Sequence, residues 1–231
     1  MTGWLIRSNL DDASAPFSEM PPELVLRQSL KHEVVSSLGL FRGRHRIGSV
    51  TVTPLNSPGN AFVFDGNLQI PQEGQKPHTY GFSLHLDLNE KPLSPKSINL
   101  RINRRQPPLS ALIDLLLAEK KVRYQIKEGD VDMGSRELPL SGDAFSLLLP
   151  TLTGLPSLPS ATTLTQTLKI RANRANFKIK GERVDGFRIK MDGAGLSATA
   201  TIGQLGEIFV VRTTTEYHLL AEGLDPQVYL P

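Results

Sequence analysis

FKIKGERVDGFRIKM, residues 177–191, decides how this chain folds. Phe177 and Ile179 alternate with Lys178 and Lys180. Gly181-Glu182-Arg183 breaks the run, and Val184 to Met191 resumes it. A two-residue apolar period on both sides of a glycine-led break is the pattern of paired strands joined by a turn. Working outward, Asp192-Gly193 punctuates the chain, Leu196 to Ile202 resumes the alternation, Gly203 to Gly206 breaks it again, and Glu207 to Tyr217 follows. The whole of residues 164–220 therefore reads as short strands separated by turn residues.

The N-terminal half carries the same signal. Tyr80, Phe82, Leu84, Leu86 and Leu88 point one way, and Gly81, Ser83, His85, Asp87 and Asn89 the other. Val34 to Phe41 and Ile47 to Pro54 flank Arg42-Gly43-Arg44-His45-Arg46, the arrangement of a β-hairpin with a basic loop. Residues 61–70, Ile98 to Ile102 and Val122 to Ile126 supply further strands. Pro107-Pro108 precedes Leu109, Leu112, Ile113, Leu116 and Leu117, spaced i, i+3, i+4, i+7 and i+8. This spacing predicts a helix over about 109–120 with Lys120 and Lys121 in its last turn. Ser141-Gly142-Asp143 opens a possible short second helix from Ala144 to Leu149, and Pro150, Pro156 and Pro159 stop anything longer. After Pro21-Pro22-Glu23, the segment Leu24 to Leu30 fits helix and strand about equally.

These elements imply a mainly β protein: a curved antiparallel sheet or open, unclosed β-barrel with one clear helix. The expected organisation is an extended lead-in over residues 1–33 and a single mainly β domain over 34–231, with possible halves 34–129 and 130–231. A chain of 231 residues can bury a core without covalent staples. It contains no cysteine, which excludes disulfides, thiolate metal sites and cysteine nucleophiles together. The 26 basic residues face 23 acidic ones, an excess too small to indicate nucleic acid. No apolar run reaches the roughly 18 residues of a membrane-spanning helix. Met1 to Ser8 has no apolar leader core. The expected location is periplasmic or envelope-bound if an upstream leader or anchor was removed, and otherwise cytoplasmic.

The candidate chemistry is sparse. The five histidines form no His-x-x-x-His or His-x-His pair, so no metal or other cofactor is expected. No nucleophile elbow or phosphate-binding glycine loop occurs. His85 and Asp87 share a strand face, the one place where a polar pocket would suit an enzyme. Asp130, Asp132 and Gly134 lack the remaining ligands of a calcium loop and read as a turn. Basic clusters lie at Arg42, Arg44 and Arg46, at Arg101, Arg104 and Arg105, and more loosely at Arg171, Arg174, Lys178 and Lys180. They suit headgroup or partner contacts, or simply solvated strand edges. Leu112, Leu116, Leu148 and Leu152 are the candidates to line an apolar groove.

Lys178-Ile179-Lys180-Gly181, Phe187-Arg188-Ile189, Gly206-Glu207-Ile208 and, upstream, Arg46-Ile47-Gly48 carry a resemblance. Their order is similar to uncharacterised bacterial envelope proteins related to the lipoprotein-carrier (localisation) fold, an unclosed β-barrel with helices over its mouth. The resemblance implies an envelope location and an apolar ligand or protein partner, and it brings no catalytic residue. The resulting expectation is a non-enzymatic binding or assembly component of a bacterial cell envelope. A purely structural scaffold subunit is the first alternative and a hydrolase of an envelope polymer the second.

Overall fold

The structure is a computed structural model that describes residues 19–56, 59–72, 75–90, 93–139, 169–193 and 196–231. Its described strands form one 14-stranded sheet in which every pairing is antiparallel. In chain order the elements are β1 (Glu19–Met20), α1 (Pro22–His32), β2 (Ser36–Arg42), β3 (His45–Leu55), β4 (Ala61–Gln72), β5 (Gln75–Glu90), β6 (Leu93–Arg104) and β7 (Leu109–Leu116). They continue as β8 (Lys121–Glu128), β9 (Val131–Pro139), β10 (Lys169–Ile179), β11 (Glu182–Gly193), β12 (Leu196–Gly203), β13 (Ile208–Thr213), β14 (Tyr217–Ala221) and α2 (Pro226–Tyr229). Strands β2 to β9 form one meander and β10 to β14 a second, and β14 pairs with β2 to join them. Among the described residues the outer strands β9 and β1 do not pair with each other, so the described sheet is unclosed.

The stretch quoted first is the β10–β11 hairpin. Phe177 pairs with Val184 and Ile179 with Glu182 around a turn in which Lys180 and Gly181 take positive φ of 51° and 87°. One expectation is corrected. Residues 109–120 are not a helix: Leu109–Leu116 is β7, and a turn follows. The leucines there satisfy both periods, because Ala111, Ile113 and Leu115 alternate inward while Leu112 and Leu116 fill the other side. Backbone partners on both flanks, β6 and β8, decide the matter in favour of a strand. The possible helix over Ala144 to Leu149, with Leu148 and Leu152, lies outside the described residues.

Helix is found instead in the ambiguous N-terminal segment. Pro22 occupies the first turn, where its missing N–H costs nothing, and Glu23 there and Lys31 and His32 in the last turn suit the helix dipole. Glu33 ends it in a left-handed conformation, φ 49°, with its N–H on the Ser29 carbonyl at 3.1 Å. Val25 packs with Ala172, Phe187, Ile189, Ala200 and Ile202. One turn on, Leu30 packs with Leu38, Val50, Val52 and Phe62. The helix therefore bridges the two meanders across one face of the sheet, called here the inner face. Burying each such side chain contributes about 1.5–3 kcal/mol. The β12–β13 turn presses against α1 so closely that a Cβ on Gly206 would stand 2.5 Å from the Ser29 Cα. Gly206 also has φ +99°, and the two constraints together require glycine.

The short helix α2 closes the other face, where Tyr229 and Leu230 pack with Phe41, Phe177, Val210 and Leu220. Asp225 caps it by accepting from the Gln227 N–H at 2.9 Å. The Tyr229 hydroxyl accepts from the Lys180 N–H at 2.9 Å, and Arg212 donates to the Tyr229 carbonyl at 2.8 and 3.0 Å. His218 is 3% exposed on β14 beside Phe41, its pair across the ladder. Burial first, and the Arg212 cation second, hold its imidazole below the ordinary 6.5. As pH falls through about 6.5 the unfolded chain binds a proton that the folded chain refuses, so stability declines until the folded imidazole titrates in turn. Thermal melts between pH 8 and 5 should show this decline, and His218→Gln should flatten it. Parallel curves for the two proteins would refute it.

Candidate functional site

The register of β3 to β8 sorts side chains into rungs, because paired residues of an antiparallel ladder share a face. One inner rung runs Val52, Phe64, Leu84, Leu100, Ile113, Tyr124. Its neighbour runs Pro54, Phe62, Leu86, Ile98, Leu115, Val122. The middle of these rungs is flanked by closed positions: Val52, Ile113 and Val122 are each 1% exposed, while Tyr124 at the end of the first rung is partly exposed. The middle itself is not closed, since Phe64, Leu84, Leu86, Ile98 and Leu100 remain partly exposed. An apolar band thus crosses β4, β5 and β6 beyond the ground that α1 covers. Two rungs away on the same face, beyond Phe82 and Ile102, Arg104 donates to the Tyr80 hydroxyl at 3.2 Å and to the Pro107 carbonyl at 2.9 Å, with its guanidinium 5.6 Å from the Tyr80 ring centroid.

The opposite face of the same strands is polar. Asn99 donates to Asp114, and Arg123 and Lys121 both pair with Glu137. Hydrogen bonds from Lys121 and then Arg123 hold the Glu137 carboxyl below the usual carboxylate range. Leu112 and Leu116 emerge on this face, Leu112 between Arg101 and Gln125 and Leu116 between Ser97 and Lys121. Asp87 lies here between two partners: Ser97 donates to it at 2.5 Å, and His85 Nε2 is 3.2 Å away. The hydroxyl proton is thus directed at the carboxylate and not at the imidazole, the reverse of what a base-activated nucleophile requires. Among the described residues, no three His, Asp or Glu side chains are placed to hold a metal ion. No helix among them is long and apolar enough to cross a membrane.

The basic residues singled out in the sequence fall into separate groups. Arg42 pairs with Glu216 at 2.8 Å, Arg44 donates to Gln227 at 2.9 Å and to the Pro231 carbonyl at 3.2 Å, and Arg46 makes a two-point contact with Glu222. These three tie the β2–β3 hairpin to β14 and α2. Arg104 stands at the end of the inner face. Arg101 and Arg105 are exposed. Arg171 pairs with Asp192 at 3.0 Å, and a hydrogen bond from Ser197, then that from Arg171, lowers the Asp192 pKa.

Arg174 enters a feature that the sequence does not disclose. An open cleft of about 960 Å³ separates α1 from the far half of the β10–β11 hairpin. Helix residues Leu24, Arg27, Gln28 and Lys31, spaced i, i+3, i+4 and i+7, form its one wall. Arg174 and Asn176 from β10, with Arg183, Asp185 and Phe187 from β11, form the other. The Asn176 nitrogen donates to Asp185, and its oxygen accepts from Arg183 at 2.8 Å. Gln28 donates to the Gln204 carbonyl at 3.2 Å and anchors the helix wall to the β12–β13 turn.

No family model matches the chain, and no curated protein does. Among solved structures, a β-barrel-like protein of domain of unknown function DUF1849 from Brucella abortus aligns over 81% of this chain and 92% of its own, at 9% identity and a TM-score of 0.39.

Proposed function

We propose that this protein is a non-enzymatic binding component of a bacterial cell envelope and holds the acyl chain of a lipid-like ligand against the inner face of its sheet. The observation that carries the reading is the band Phe64, Leu84, Leu86, Ile98 and Leu100, apolar throughout and partly exposed between the buried Val52 on one side and Ile113 and Val122 on the other. Ligand sites are mostly apolar with a few polar groups fixing orientation, and Tyr80 and Arg104 supply such groups on the same face, two rungs from the band. The envelope location is drawn from the resemblance to the lipoprotein-carrier fold. The polar grouping of His85, Asp87 and Ser97 lacks the proton path of a hydrolase, which favours binding over catalysis.

A dansyl-labelled fatty acid tests the reading. Saturable binding with blue-shifted emission is expected, weakened on the order of tenfold or more by Leu84→Glu or Leu100→Glu, since tenfold corresponds to about 1.4 kcal/mol. Leu112→Glu, on the opposite face, should leave the affinity unchanged. A probe that fails to bind, or that responds to Leu112→Glu as it does to Leu84→Glu, would remove the inner face as the site.

The scaffold alternative rests on β9. It pairs only with β8 among the described residues, and it presents Val131 and Met133, each 63% exposed. Such an edge can accept a further strand from a protein partner.

A further inference from the structure

We propose that the cleft between α1 and the β10–β11 hairpin is an anion site that takes a phosphate group. Among the described residues, its walls bring together Lys31, Arg174 and Arg183 against one carboxylate, Asp185. Like charges gathered from separate elements repel one another, and an anion between them relieves that repulsion. Asp185 accepts from the Asn176 amide across the ladder, and the oxygen of that amide accepts from Arg183. The same amide fixes the position of the Arg183 guanidinium.

The chemistry favours phosphate over a simple carboxylate. The Arg174 and Arg183 guanidinium groups offer planar pairs of N–H donors, which match the oxygens of a phosphate two at a time, and Lys31 adds a point charge. Leu24 and Phe187 give the cleft an apolar side, which suits the glycerol or acyl portion of a phosphate ester. The shared ligand chemistry is thus a phosphate monoester, either soluble or as the headgroup of a lipid. The inference is independent of the acyl-chain reading and survives if fatty acids do not bind.

Titration calorimetry of the full chain at low ionic strength, with glycerol 3-phosphate and separately with dioctanoyl phosphatidic acid below its micellar concentration, tests it. Binding of glycerol 3-phosphate is expected to weaken by about tenfold in Arg174→Glu and in Lys31→Glu, and to weaken as salt is raised. Both side chains are exposed, so both variants should keep the wild-type circular dichroism spectrum. Arg101→Glu, outside the cleft, should bind as wild type. Tighter binding of the phosphatidic acid, lost in the same variants, would uphold the site and identify a lipid headgroup. Equal affinity for the two ligands, with the same losses, would uphold it and identify a soluble phosphate. Absence of binding by both ligands, or binding indifferent to Arg174→Glu and Lys31→Glu, would overturn the proposal.

Discussion

Leu30→Ala is expected to lower the unfolding free energy by about 2–5 kcal/mol, the range for a buried leucine that leaves a cavity. Against a total of roughly 5–15 kcal/mol for a folded domain, this is a large share. The side chain is 2% exposed and meets Leu38, Val50, Val52 and Phe62, all on β2 to β4. The β-strands around it are held by ladders on both sides and have little freedom to collapse into the space. Leu24 is the natural control. It lies on the same helix but is 53% exposed, so Leu24→Ala should change stability by no more than about 0.5 kcal/mol. Urea unfolding of the two variants side by side gives the comparison. Equal effects would mean that α1 is not seated on the sheet through Val25 and Leu30.

The second large effect is expected at β7. Ile113 is 1% exposed and packs with Ile102, Ala111 and Val122, whereas Leu112, its neighbour in sequence, lies on the polar face between Arg101 and Gln125. Ile113→Ala should cost about 2–5 kcal/mol and Leu112→Ala less than about 1 kcal/mol. A helix over the same residues would bury both side chains on one stripe and penalise the two substitutions alike. Unfolding midpoints that drop equally would therefore contradict the strand.

These two positions also show what the sequence discloses and what it conceals. Alternation is unambiguous where polar residues occupy one face, as in Tyr80 to Leu88 and in Phe177 to Met191, and the strands there stand where the pattern puts them. At Leu109 to Leu116 both faces are leucine-rich, so periods of 2 and 3.6 coincide. Only the presence of β6 and β8 on either side settles the outcome, and that is tertiary information. Leu24, Val25 and Leu26 blur the helical period of α1 in the same way. The inner band was legible as strand faces but not as a site, because its partial exposure depends on where α1 stops covering the sheet. The basic cleft was less legible still. Arg174 belongs to a visible cluster, but Arg27, Lys31 and Arg183 join it only after α1 crosses the second meander. Arg42, Arg44 and Arg46, which suit headgroup or partner contacts or solvated strand edges in sequence, are bonded to Glu216, Gln227 and Glu222.

Gentle purification from the native host followed by native mass spectrometry, with organic extraction of whatever co-purifies, tests the binding role most directly. A stoichiometric adduct of lipid size, released by extraction and missing from Leu84→Glu, is the predicted result. A bare monomer, or an adduct that Leu84→Glu retains in full, would contradict it.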